Sequence, residues 1–124
     1  MVAGMGEPLV LGMSFRRFDA ALGTNADVWR QVKSRLFSNG GHLTIVLTDR
    51  TLYDVTAVVF NREQVSAYAS LYRLSLGPAE DEWDLFWKVV DAILANSEYD
   101  GYLYVPPEIE PSDFGVVIFY RTVA

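Results

Sequence analysis

Apolar residues recur along this chain in two rhythms, and the places where the rhythm changes mark its elements. Leu9–Met13 is the first candidate strand. Ser14 then offers an N-cap oxygen, Phe15, Phe18 and Leu22 follow at i, i+3 and i+7, and Gly23 is a stop, which predicts a short helix. Thr24 or Asn25 restarts a helix that runs to about Ser38, with Val28, Trp29, Val32 and Leu36 on one face and Arg30, Lys33 and Ser34 on the other. It ends at Asn39-Gly40-Gly41.

From His42 the rhythm shortens. HLTIVLT and TLYDVTAVVF, separated by Asp49-Arg50, predict a β-hairpin. Neither turn residue is Gly or Asn, so the expected connection is a loop built on a type I turn, longer than a tight type I′ turn. In the second strand Tyr53, Val55, Ala57 and Val59 share one side, while Asp54 and Thr56 share the other with Val58 and Phe60. Asn61 with Gln64 resembles a capping box, and Val65, Tyr68, Ala69 and Tyr72 continue at helical spacing, so a helix starts at Arg62. Tyr72–Leu76 also alternates and could be a short strand, closed in either case by Gly77-Pro78. Pro78 is expected to open a long helix to about Asn96, with Trp83, Phe86, Trp87, Val90 and Leu94 as its buried stripe. Gly101–Val105 alternates up to Pro106-Pro107, Glu108–Asp113 is an acidic loop, and Phe114–Thr122, apolar on both sides, reads as a central strand.

Strands in pairs with helices between the pairs predict an α+β fold. The expected form is an antiparallel or mixed four- to five-stranded sheet with three to four helices packed mainly on one face. Residues 1–7 are expected as a flexible tail and 8–124 as one domain. The two halves share a loose helix-then-hairpin order without a residue-level repeat, which argues against a duplication.

Composition adds a charge asymmetry to this outline. The net charge is −6, from 10 bases and 16 acids. Residues 1–62 hold seven bases and five acids, net +2, whereas residues 63–124 hold three bases and eleven acids, net −8. Between residues 80 and 113 ten acids face only Lys88. Such a surface repels phosphate backbones and anionic lipid, and attracts a basic protein. There is no cysteine, which removes disulfides, zinc thiolates, iron–sulfur ligation and a thiol nucleophile. With no Lys or Arg in Met1–Met13 and an apolar run too short for a secretory or membrane segment, the expected setting is a reducing cytoplasm.

Candidate chemistry is thin. His42, the only histidine, could act as a general base near neutral pH, but it sits between Gly41 and a strand with no nucleophile or orienting acid assignable from sequence. No Ser lies in a G-x-S-x-G elbow, no EF-hand pattern is present, and Gly4-Met5-Gly6 lacks the third glycine of a dinucleotide fingerprint. No catalytic residue, metal or cofactor is therefore assigned, and the enzyme question stays open with the balance against catalysis. Glu80, Asp81, Glu82 and Asp84 are accounted for by the start of a helix, where negative charge is favoured by roughly 0.3–1 kcal/mol each. The acids at 98, 100, 108, 110 and 113 occupy loops and need another account.

The leading expectation is a non-enzymatic acidic binding module. Its contact residues would be Glu80, Asp81, Asp84, Glu98, Asp100, Tyr102, Glu108, Glu110 and Asp113, and its partner a basic protein such as a nuclease or nucleic-acid-binding protein. Small size, acidity and the lack of a catalytic kit are the profile of immunity-type inhibitors and nucleic-acid mimics. The rival is a small enzyme or ligand-binding domain with a pocket lined by tyrosines and carboxylates. A third possibility is a homodimer in which the basic first half of one copy meets the acidic second half of another.

Overall fold

The computed structural model describes residues 7–48 and 52–123. The Asp49-Arg50 turn and residues 1–6 of the expected tail lie outside them. The elements in chain order are β1 (Leu9–Val10), α1 (Phe15–Thr24), α2 (Ala26–Ser38), β2 (His42–Val46), β3 (Leu52–Phe60), α3 (Arg62–Leu71), α4 (Glu82–Ala95), β4 (Gly101–Val105) and β5 (Gly115–Val123). The fold is α+β, with one mixed sheet in the order β1-β2-β3-β5-β4. β1 and β2 are parallel and every other neighbouring pair is antiparallel.

The helix starts follow the local chemistry of the sequence. The Ser14 hydroxyl accepts from the Arg17 amide at 3.3 Å, Asn25 Oδ1 accepts from Asp27 and Val28 at 3.0 and 3.2 Å, and Asn61 Oδ1 accepts from Gln64 at 2.9 Å. Each cap satisfies amides that the first helical turn leaves without partners. Gly40 and Gly41, at φ 71° and 87°, turn the chain from α2 into β2, a path that costs glycine little. Pro78 does not open α4. The helix begins at Glu82, because Asp81 caps it by accepting from the Asp84 amide at 2.8 Å while Asp84 accepts from the Glu80 amide at 2.9 Å. Tyr72–Leu76 forms turns and irregular chain instead of a strand.

The helices do not gather on one face. α1 and α2 cover one side of the sheet, where Phe18, Leu22, Trp29, Val32 and Leu36 pack on Leu43, Ile45, Val55, Leu103, Val116 and Ile118. α3 and α4 cover the other side, where Val65, Phe86, Val89, Val90 and Ile93 pack on Phe60, Val117 and Phe119. The cause is the handedness of the connections. β1 and β2 are parallel and joined through α1 and α2; β3 and β4, both antiparallel to β5, are parallel to each other and joined through α3 and α4. Both crossovers step the same way along the sheet, but they leave strands that point in opposite directions. Two crossovers of one hand can do this only on opposite faces. The same geometry argues against duplication: a two-fold axis exchanging the antiparallel β3 and β5 would be normal to the sheet and would leave both helix pairs on one face.

β5 is the central strand its pattern predicts, with Val116, Val117, Ile118 and Phe119 all fully buried between the two helix layers. On α4 the buried stripe is Phe86, Val89, Val90, Ala92 and Ile93, whereas Trp83 stays 42% exposed and Trp87 half-buried. Among the described residues no charged side chain is buried, and no buried side-chain nitrogen or oxygen lacks a partner.

Candidate functional site

α3 and α4 are too short to cover their whole side of the sheet. They lie over Val58, Phe60, Val117 and Phe119, and leave the other end of that face uncovered. The uncovered positions are the polar ones on the same side of the strands. His42 pairs with Thr56, and Thr44 pairs with Asp54, which pairs in turn with Arg121. The loop from α4 to β4 brings Glu98 and Tyr99 beside them, and Asn39 closes the rim from the end of α2. Together they line an open recess of about 460 Å3.

Two hydrogen-bond chains cross its floor. Tyr99 O–H donates to Thr56 Oγ1 at 2.7 Å, and Thr56 Oγ1 lies 3.0 Å from His42 Nδ1. Every group is satisfied when the Thr56 hydroxyl donates to Nδ1, which leaves Nε2 as the N–H of the ring. In the second chain Thr44 donates to Asp54 Oδ1 at 3.0 Å, and Arg121 reaches Asp54 Oδ2 and Glu98 Oε2, both at 3.3 Å. Next to it, Asp100 accepts from the Thr122 amide at 2.8 Å and so fixes the start of β4 against β5.

The acids of residues 80–113 separate into three places. Glu80, Asp81 and Asp84 sit at the start of α4. Glu108 and Asp113 belong to the β4–β5 loop at the same end of the sheet, where Asp113 accepts from the Arg62 amide at 2.8 Å and Glu82 meets Arg62 at 3.4 Å. Glu98 and Asp100 sit beyond the far end of α4, whose 14 residues span about 21 Å. That exceeds the Debye length of about 8–10 Å in ordinary salt, so the two ends act as separate patches. Glu110 belongs to neither. It lies on the α2 side, where its two oxygens accept from Lys33 Nζ at 2.8 and 2.7 Å and one also accepts from Trp29 Nε1 at 3.1 Å. Its side chain is only 14% exposed. Burial pushes its carboxyl up, but the bonds from Lys33 and Trp29 and the Lys33 charge outweigh this and hold it below the ordinary carboxylate range.

The tyrosines are half-buried and serve packing as much as surface. Tyr102 lies against Trp87 and Phe119 at ring distances of 6.0 and 6.5 Å. Tyr104 donates to the Phe114 carbonyl at 2.6 Å. Burial first, then the negative charge of Glu108, three residues beyond the end of β4, raises the Tyr104 phenol above its ordinary value. Trp83 is different. Its ring stands edge-on to Phe114 and Phe86 at 5.0 and 5.8 Å, yet much of it faces solvent at the acidic end of α4.

The structure thus brings Glu80, Asp81, Asp84, Glu108 and Asp113 to one end and Glu98 and Asp100 to the other, with Tyr102 two residues along β4 from Asp100 and packed on Trp87 and Phe119, and sets Glu110 apart from both. Sequence reasoning missed the recess. Its signal was the run of polar side chains on one side of β2, β3 and β5, but their alignment depends on strand register, which the isolated strands do not reveal. Among the described residues no helix is long and apolar enough to cross a membrane, and no three His, Asp or Glu side chains cluster as metal ligands would. No known protein family, curated protein or solved structure matches the chain.

Proposed function

We propose that this protein is a non-enzymatic binding module that engages a basic region of another protein through the Trp83 end of α4, and blocks that partner as an immunity-type inhibitor does. The observation that carries the reading is the exposed Trp83, anchored on Phe86 and Phe114 within a strongly acidic rim. Glu63, Glu80, Asp81, Glu82, Asp84, Glu108 and Asp113 stand there against Arg62 and Lys88, net −5. Aromatic anchors ringed by polar groups dominate binding energy at protein interfaces, and charge of one sign steers the encounter. Three of the acids are held in place by helix-start hydrogen bonds, so little ordering is left for the moment of binding. The same charge disfavours direct contact with nucleic acid or anionic lipid.

The test is affinity capture from host lysate at about 0.1 M and about 0.5 M salt, using the wild type, Trp83→Ala and the double variant Glu80→Lys/Glu108→Lys. One basic protein should be held at low salt and released at high salt. Trp83→Ala should weaken its capture by about thirtyfold, corresponding to roughly 2 kcal/mol for an anchor residue. The double charge reversal should abolish the capture. A partner held equally well by all three proteins sinks this reading, as does the absence of any captured basic protein.

A further inference from the structure

We propose that the recess on the uncovered end of the sheet is a second binding site, for an ammonium or guanidinium group. This inference stands apart from the function proposed above, because the recess lies at the other end of α4 and no acid of the Trp83 end lines it.

The first argument is shape. About 460 Å3 falls within the roughly 300–1,000 Å3 typical of small-molecule sites. Its floor is a strand surface, fixed by the β2–β3–β5 register and not by a loop. The second argument is the tally of donors and acceptors. Asp54 and Glu98 offer about eight lone-pair directions between them, of which three are used by donors among the described residues, Thr44 and Arg121. Among the described residues the two carboxylates share one guanidinium, so two negative charges stand against one positive charge. Both Arg121 contacts are 3.3 Å, longer than the roughly 2.7–2.9 Å of a fully formed charge-assisted bond, so a second cation can share the carboxylates without breaking a tight pair. An anion would meet two carboxylates against the single guanidinium of Arg121, a lining whose net charge is negative.

The third argument is the wall. Tyr99 packs against Phe119 at a ring distance of 5.6 Å and is pinned through its hydroxyl to Thr56, so its ring stands fixed beside the acids. A positioned aromatic ring next to carboxylates is a favourable setting for a cation. The ligand is therefore a small cation with several N–H donors, either a free amine or guanidine, or an Arg or Lys side chain of another protein.

The probe is acetyl-arginine amide, titrated into the isotope-labelled full chain and followed by amide chemical shifts. Saturable shifts are expected at Thr44, Asp54, Thr56, Glu98 and Tyr99. The uncharged acetyl-citrulline amide should bind at least about tenfold more weakly, a loss of about 1.4 kcal/mol. Glu98→Gln, whose native side chain is 89% exposed and carries little of the fold, should weaken binding about two- to fivefold, as a solvent-exposed charge pair would. Asp54→Asn should weaken it by more. Propylguanidinium compared with a blocked Gly-Gly-Arg-Gly-Gly peptide separates the sources. Tighter binding of propylguanidinium indicates a free small cation, and equal or tighter binding of the peptide indicates a protein side chain. The inference is overturned if acetyl-arginine amide causes no localised shifts at millimolar concentration, if citrulline binds equally well, or if acetyl-glutamate amide occupies the recess more tightly.

Discussion

One face of one sheet carries two kinds of surface, and β3 passes through both. At its start Asp54 and Thr56 face an open recess; four and six residues further on, Val58 and Phe60 face the same way but lie beneath α3 and α4. Pairing with β5 and side-chain direction are alike in the two halves, although β2 pairs only with residues 52–56. What separates the two surfaces above the strands is the cover. Under the helices Phe60, Val117 and Phe119 are fully buried, each worth roughly 1.5–3 kcal/mol by removal of apolar surface from water. Beyond them the side chains hydrogen-bond to one another, and water can replace any bond that is lost. Side-chain character along a single strand thus reports how far the helix layer reaches, and the polar half is a surface the fold does not need for its core.

The largest difference between the halves should appear on truncating Phe60. Its ring lies 5.2 Å from Phe86 and 5.7 Å from Tyr68, so Phe60→Ala leaves a cavity lined by rigid neighbours. The expected loss is about 3–5 kcal/mol, seen in urea unfolding as a lower midpoint with an unchanged slope. A loss below about 1 kcal/mol would mean that the covered half is loosely packed and that the comparison fails.

Much of this fold is legible in the sequence because its signals are local. Ser14, Asn25 and Asn61 carry their capping function in their own side chains, and the helices begin where those residues say. β5 announces itself as central by being apolar on both sides. That same fact also implied cover on both faces of the sheet. Its consequence becomes visible only once the parallel relations of β1 with β2 and of β3 with β4 assign each crossover a face. The start of α4 misleads for a local reason: Pro78 is a common first helical residue, but Asp81 caps a start at Glu82, four residues later, while Asp84 bonds back to the Glu80 amide, and hydrogen bonds outweigh a backbone preference. The site is less legible. Asp54 and Arg121 are 67 residues apart in sequence, and only strand register joins them. Glu110 reads as one loop acid among several, until the fold lays it on Trp29 and Lys33.

Glu110 sharpens the comparison, since it is a polar group under cover on the opposite face of the sheet. Glu110→Gln leaves Lys33 without its carboxylate in a partly desolvated position and should cost about 1–2 kcal/mol at neutral pH, less than Phe60→Ala because Lys33 can still reach water. The pH dependence has a definite sign. The folded carboxyl titrates below its ordinary value of 4.5, so its contribution is fully present above that pH and is lost as the pH falls through the lowered folded value. Urea midpoints of wild type and variant should therefore lie apart at pH 7 and converge as the solution is acidified through the carboxylate range. A gap that stayed constant would show that the carboxylate charge contributes nothing there.

The smallest effect should come from the open half. Thr56→Val removes the acceptor of the Tyr99 hydroxyl and the partner of His42 Nδ1, two bonds of 2.7 and 3.0 Å, while keeping the shape and β-branching that suit a strand. In a sealed core, leaving two such groups unpaired would cost several kcal/mol. Here water enters the recess and takes over both bonds, so the expected change in stability is within about 0.5 kcal/mol of zero. Binding of the guanidinium probe should still weaken, because the Tyr99 ring loses the bond that fixes it beside Asp54 and Glu98. A stability loss above about 2 kcal/mol would mean that the Thr56 network holds the sheet together, and the recess would then be a structural element and not a vacant site.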